Sequence, residues 1–437
     1  MNTRKGFVGC AAVAALCLFM AGGADALANT VWHVSSSAPS GTCGSPTFTC
    51  KTINAAVSGA DDFDIIVVGP GTYTESVYVN KQVEIFGAQA GIDARDRRQS
   101  SESIVDATGQ SLGPGSGAAF NIVRNNVVID GFTLQGGTSG DAAAGVYEDD
   151  QFTTQITNDI IQNNAVGICL NMTGDGNNTV IEDNLIRNNN EETAGSDYSP
   201  SLVPGRGFGI VASEVYKGLT IRDNAFECNL AAAMFLYDTI GTYITGNTSN
   251  NDGSFLVLDY TSDVTVSYNE GQNFGAKGSY PIVRTTPADA AIELLFDNWP
   301  GVNISDNTFC GGKAPNYSGI DFSAMADVHG NYPDLGCWLC SITNNRITHF
   351  TGNGIVAEFI TDYATLPASQ ITHNHIEHNG GVGILIEKAS NNAYNQVRDC
   401  EDDTSGSLTA STADNWFNNS PGTSSPSGLC GPGVRNP

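Results

Sequence analysis

Carboxylates and aromatic rings are the side chains with chemistry to offer in this 437-residue chain. Phe235 and Tyr237 stand two apart in one short apolar segment with Asp238 directly behind, and Asp259, Glu293 and Asp321 occupy related segments further on. Two carboxyl groups on neighbouring elements suit acid and base work on a glycosidic bond, their separation setting the stereochemical outcome. The same oxygens suit Ca2+, which takes six to eight of them. Such a cation would neutralise a uronate carboxylate while a basic residue takes the α-proton. Arg206, Lys217, Lys277 and Arg284 are the candidate bases. Flat aromatic faces suit the apolar faces of sugar rings. Asp149 and Asp150, in the run Glu148-Asp149-Asp150, are further candidate Ca2+ ligands, against the alternative of a solvated acidic turn.

A repeat must position these residues. A β-branched residue, two polar residues, Asn, any residue and an apolar residue recur as Ile181–Ile186, Ile221–Phe226, Ile304–Phe309, Ile342–Ile347 and Ile371–Ile376, with weaker copies at Asn247 and Asn269. A second pattern places a small residue before alternating apolar positions: Gly145-Val-Tyr147, Gly167-Ile-Cys169, Gly209-Ile-Val211, Ala233-Met-Phe235, Ser254-Phe-Leu256, Ala291-Ile-Glu293, Gly319-Ile-Asp321 and Gly354-Ile-Val356. Both alternate with period two, which means strands. Asn247 and Asn269 are too close for a helical crossover of a dozen or more residues within each coil. Like strands must then stack as parallel rungs about 4.7–4.9 Å apart, an all-β solenoid of three short sheets. The Asn residues fall at one sharp turn per coil and bond up a ladder; Gly before each Ile relieves a tight bend. One outward column is expected to contain Tyr147, Phe235, Leu256, Glu293 and Asp321, and the next Asp149, Tyr237 and Leu258.

The chain resembles the right-handed parallel β-helix repeat proteins of the pectin-lyase-like superfamily. The segment Asp64-Ile-Ile-Val-Val-Gly-Pro-Gly-Thr-Tyr-Thr-Glu-Ser-Val-Tyr-Val79 looks like that superfamily's opening coil. The motifs of its methylesterases and epimerases are not found. The resemblance implies a single-stranded right-handed parallel β-helix over residues 64–399 and a carbohydrate groove along the Gly-Ile sheet. It implies catalytic roles for Glu293, Asp321, Asp238 and Arg206, and substrate contacts from Tyr147, Phe235, Tyr237 and Asp259. The activity implied is that of a polysaccharide lyase, hydrolase or epimerase. The alternative is a non-catalytic extracellular carbohydrate-binding or surface protein.

Composition sets the boundaries. Nineteen Lys and Arg against 46 Asp and Glu give a formal charge of −27, which excludes nucleic acid as a partner and makes any acidic glycan dependent on bridging cations. Arg4, Lys5, an apolar run from Phe7 to Met20 and the ending Ala26-Leu27-Ala28 read as a signal peptide over residues 1–28, hence a secreted protein, extracellular, periplasmic or at the cell surface. No later stretch is apolar enough to insert in a membrane. An N-terminal cap is expected over 29–63, with helical spacing at Lys51–Val57, and an irregular C-terminal cap over 400–437. Cys43–Cys50 and Cys400–Cys430 are the natural local disulfides, while Cys310, Cys337 and Cys340 could supply a third bridge. A monomer is expected.

Overall fold

The computed structural model describes residues 29–39, 43, 45–96, 101–110, 117–140, 142–171, 178–190, 207–215, 217–275, 281–283, 286–287, 290–295, 301–323, 340–358, 370–381, 383–387 and 401–403. Three long sheets dominate it, of 12, 12 and 11 strands, every pairing within them parallel. Successive strands pass from sheet A to sheet B to sheet C, as in Tyr243–Thr245, Thr248–Asn250 and Leu256–Asp259, and the next coil stacks on the last. This is the solenoid of three parallel sheets that the repeat implied, and the all-β right-handed parallel β-helix that the resemblance implied.

Strands of three residues suffice because each presents one central apolar side chain to the interior. In sheet A these are Ile156, Ile181, Ile221, Ile244, Val266, Ile304 and Ile342, all buried. The turn from sheet A to sheet B needs a left-handed residue. Asn158, Asp183, Asp223, Tyr268, Asp306, Asn344 and His373 hold φ between 52° and 60° there; Asn158 precedes Asp159, whose N–H the first ladder residue accepts at 2.8 Å, and the other six precede ladder residues. The ladder runs Asn184, Asn224, Asn247, Asn269, Asn307, Asn345, Asn374. Each Oδ1 after the first accepts the backbone N–H and the Nδ2 of the Asn one coil earlier, as Asn247 does from Asn224 at 3.0 Å for both. Each Nδ2 also reaches a strand carbonyl, so the buried amide group is satisfied on all sides.

A second ladder stands at the turn from sheet B to sheet C, five residues after the first. Asn164 donates to Asn189, Asn189 to Asn229, and Asn229 to Asp252. Beyond it the column turns aromatic: Phe274 and Phe350 stack at 6.4 Å, with Phe309 and Tyr317 against them.

The N-terminal end differs from the expected cap in one respect. Val31–Val34 is already a sheet A strand, paired with Ile65–Val68, so the solenoid draws on the segment before Asp64. Helix α1 (Ile53–Gly59) lies between these two strands in sequence. Its first N–H groups are met by Thr52 Oγ1 and by the Glu75 carboxylate, which accepts from Ile53 and Asn54 at 2.9 and 3.0 Å. The Cys43–Cys50 disulfide is present. Cys340 is disulfide-bonded, whereas Cys169, Cys228 and Cys310 carry no disulfide, so Cys310 is not part of a third bridge. The signal peptide, Cys337, Cys400, Cys430 and residues 404–437 of the expected C-terminal cap lie outside the described residues; Glu401–Asp403 pairs in parallel with Ile384–Glu387, so the solenoid runs past residue 399.

Three expectations need correction. The glycines of the Gly-Ile series do not serve a bend: a Cβ on Gly167 would sit 2.4 Å from the Gly209 carbonyl oxygen, and one on Gly209 would sit 2.5 Å from that of Ala233. They permit close stacking of neighbouring coils. Leu256 and Leu258 face inward, because Met234 pairs with Leu256 and Phe235 with Val257. Phe255, not Ser254, takes the small-residue position and fills the interior 5.2 Å from Phe309. Glu148 is not part of an exposed acidic run. It pairs with Leu170 and Ile122, points into the apolar interior and is fully buried.

Candidate functional site

Sheet C carries the predicted groove residues on its outer face. The corrected register gives one column of Tyr147, Cys169, Val211, Phe235, Val257, Glu293, Asp321 and Val356, and a second of Asp149, Asn171, Ser213, Tyr237, Asp259 and Leu295. The first column is covered. Cys169, Val211, Phe235 and Val257 pack with Ala144, Val166 and Phe208 as a second apolar layer, the Phe208 and Phe235 rings 5.6 Å apart. Phe235 is fully buried and offers no open ring face. Tyr147 and Tyr237 pack at its margin, each half-buried.

The outer face turns polar at the ends of its middle strands. Ser213, Tyr237 and Asp259 are neighbours in register, and the residue after each, Glu214, Asp238 and Tyr260, holds φ between 48° and 56°. That left-handed step turns the chain at the sheet edge, with Glu214 N–H bonded to Tyr237 O and Asp238 N–H to Asp259 O. Tyr260 meets Tyr237 edge-on at 5.8 Å. The Tyr237 phenol is pushed up from its ordinary value, first by burial and then by the negative charges of Asp259, Asp238 and Glu214. It therefore stays a hydrogen-bond donor at neutral pH, and a phenolate base is disfavoured.

Glu293 and Asp321 are direct neighbours on the next two rungs, both outward and buried. Their Cα atoms are therefore roughly 4.8 Å apart, close enough for the side chains to share a proton or a ligand. Asp259 lies one rung before Glu293 and two positions further along the strand, about 8 Å away in Cα terms. The Glu293 carboxylate bends toward the strand start, where Oε1 accepts from Ser254 Oγ at 3.1 Å and from the Ala290 N–H at 3.2 Å. Ser254 in turn meets the Tyr317 hydroxyl. The acids thus fall into two groups, Asp259 and Asp238 around Tyr237 at the strand ends and Glu293 with Asp321 nearer the starts.

Of the predicted residues, Tyr237, Asp238 and Asp259 come together and Glu293 pairs with Asp321. Arg206, Lys277 and Arg284 lie outside the described residues, and Lys217 is exposed. Asp149 and Asp150 are exposed, Asp149 accepting from Asn171 Nδ2 at 3.1 Å. Among the described residues no three His, Cys, Asp or Glu side chains are grouped to hold a metal ion. Glu214 and Tyr260 were missed, although each follows a groove position just as Asp238 follows Tyr237.

The fold and this edge are the setting for comparison with known proteins. No family model matches the chain. Over 102 residues it is 33% identical to a cell surface glycoprotein of Methanothermus fervidus, a match spanning 23% of this chain and 14% of that protein. Among solved structures it is similar to an alginate lyase from a Paenibacillus species, with 14% identity, 79% of this chain and 98% of that one covered, and a TM-score of 0.42. It is also similar to the catalytic unit of an α-1,3-glucanase from Streptomyces thermodiastaticus, with 14% identity, coverages of 84% and 65%, and a TM-score of 0.47. A lacto-N-biosidase from Eubacterium ramulus gives 11% identity, coverages of 82% and 64%, and a TM-score of 0.46. At these identities the similarity concerns the fold alone. No helix among the described residues is long and apolar enough to cross a membrane.

Proposed function

We propose that this chain is an exported protein that binds and processes polysaccharide on the outer face of sheet C. The observation that carries the reading is Tyr237, half-buried at the sheet edge and ringed by Asp259, Asp238 and Glu214, with the Glu293–Asp321 pair on the next rungs. An aromatic donor beside carboxylates at two distances suits a sugar chain lying across the rungs. The three solved structures named above come from proteins whose names give carbohydrate substrates, which accords with this reading. A uronate-rich glycan would bring Ca2+ as a bridge, since the chain carries −27.

The test is a panel of neutral and acidic polysaccharides, with and without Ca2+, read by unsaturated-product absorbance and by reducing ends. Glu293→Gln and Asp321→Asn are expected to lose roughly 100-fold or more in rate if the pair does acid and base work. Tyr237→Phe is expected to weaken binding while leaving the fold intact. Unchanged rates in the first two variants reject the catalytic pair. The second reading is a non-catalytic surface protein, favoured by the covered apolar column and by the likeness to a cell surface glycoprotein. Glycan binding with silence in every activity assay would select it.

A further inference from the structure

The outer face of sheet A changes character along the solenoid. Its early rungs carry charge outward, at Glu84, Asp130, Glu182 and Arg222, the last paired with Glu182. From the strand Tyr243–Thr245 onward the outward side chains are neutral. Tyr243, Thr265 and Asn303 form one column, and Thr245, Ser267 and Ser305 the next, before Ser341–Thr343 continues the pattern. Hydroxyl and amide groups therefore stand on a flat net of roughly 4.8 Å between rungs and 6.6 Å along each strand.

Two rings rise from this net. Tyr243 is 55% exposed and Tyr268 67%. Tyr268 follows Ser267 in the left-handed turn position, its backbone held by the Ser305 carbonyl, so its ring stands at the edge of the face. One rung and three positions separate the two, about 11 Å. That is close to the span of one disaccharide unit in an extended glycan. Neither phenol hydroxyl has a hydrogen-bond partner among the described residues.

We propose that this face is a second carbohydrate surface, holding an extended, uncharged glycan chain by stacking sugar rings on Tyr243 and Tyr268. The hydroxyl rows between them would meet the chain's hydroxyl groups. The occupant is a glycan rather than a protein because the face has no aliphatic centre of the kind protein interfaces bury. It is neutral because the outward side chains of these rungs are uncharged, Asp263 and Asp306 border the patch, and the whole chain is strongly acidic. The surface does not depend on the sheet C reading, since the two sheets face different directions.

Native affinity electrophoresis of the full chain through gels containing hydroxyethylcellulose, glucomannan or soluble starch tests this. Retardation by at least one of them is expected. The double variant Tyr243→Ala/Tyr268→Ala should weaken it roughly tenfold, the worth of two stacked rings. Both rings are largely exposed, so the unfolding midpoint should stay put and confirm that the variant folds. Phe48→Ala, which removes an equally exposed ring from the N-terminal segment, should leave this retardation unchanged. No retardation of the parent chain by any of the three glycans overturns the proposal. So does retardation that survives the double variant or is lost equally in Phe48→Ala.

Discussion

The two side-chain ladders begin alike and end differently. The first is Asn from Asn184 through Asn374, and each amide both accepts and donates. The second stops after Asn229, at Asp252, whose Oδ1 accepts from the Asn229 N–H and Nδ2 at 2.7 and 2.9 Å. A carboxylate can only accept, so it suits a place where no further rung needs a donor. Ahead of it stands Phe274, with no polar group to serve. The Asn Nδ2–H groups of this ladder all point toward Asp252, so their dipoles present a positive end to it, much as a helix N-terminus does. The difference teaches that an interior column is set by the count of donors and acceptors it must satisfy. Amides propagate the ladder, an acid closes it, and aromatic rings fill the space beyond until Asn379 accepts the Phe350 N–H at 3.0 Å.

The largest effect is expected from breaking the first ladder in its middle. Asn247→Ala removes the acceptor for Asn224 N–H and Nδ2 and the donor to Asn269 and Ile221. Several buried groups lose partners at once, for a loss of about 3–5 kcal/mol. Urea unfolding followed by far-UV circular dichroism checks it. A loss under about 1 kcal/mol would mean that the ladder merely fills space. Asn247→Asp sharpens the comparison. The same residue type that closes the second ladder should damage the first, because its carboxylate would face the Asn269 Oδ1 instead of a donor.

Next comes Glu148, an interior acid without Asp252's partners. It stands in a column of Ile122, Leu170 and Ala212, and neither its oxygens nor the Thr154 hydroxyl finds a hydrogen bond among the described residues. Burial pushes the carboxyl from 4.5 to about 8, the Thr154 hydroxyl pulling only slightly the other way. The folded state thus holds a proton that the unfolded chain gives up near 4.5. The stability this group allows is full below that pH and is lost as pH rises toward and through 8. Glu148→Leu should remove the slope and stabilise the protein at pH 9 by a few kcal/mol, with little change at pH 4. Urea midpoints across that range decide it; parallel profiles for the two proteins would refute the assignment.

These columns also show what could be read in advance. The first ladder was legible because seven successive A-to-B turns make the same demand and Asn answers it at each, from Asn184 to Asn374, with Asp159 at the turn before them. The second was hidden although its spacing is regular, Asn184 to Asn189, Asn224 to Asn229, Asn247 to Asp252, because Phe274 and Phe350 interrupt the residue type. Alternation told which residues of sheet C face outward but not their register. Phe255 in a small-residue position shifted Leu256 and Leu258 onto the wrong face and concealed that Asp259 sits beside Tyr237. Nor does alternation tell what covers an outward residue. Phe235 does face out, and it is buried all the same. Glu148 shows the reverse limit: its neighbours Asp149 and Asp150 made it look like surface, and only its pairing with Leu170 reveals an interior acid.

The smallest effect, and the closest test of the comparison, is Asp252→Asn. Asp252 is fully buried, and burial lifts its carboxyl to about 7 against the opposing hydrogen bonds from Ser249 and Asn229. The sign follows as for Glu148 but over a narrower window. Folding holds a proton between the ordinary 3.8 and about 7, so stability from this group is complete at low pH and falls as pH rises through 7. An Asn keeps the Oδ1 acceptor for Asn229 and turns Oδ2 into a donor that the Ser249 hydroxyl can accept by rotating. At pH 3.5, below the ordinary carboxyl value, the variant should match the parent within about 1 kcal/mol, because protonated Asp and Asn make nearly the same bonds. At pH 8 it should be the more stable of the two, having no charge to bury. If Asp252→Asn is instead strongly destabilising at both pH values, the ladder's positive end needs a carboxylate charge. Its closure would then be electrostatic rather than a matter of counting donors.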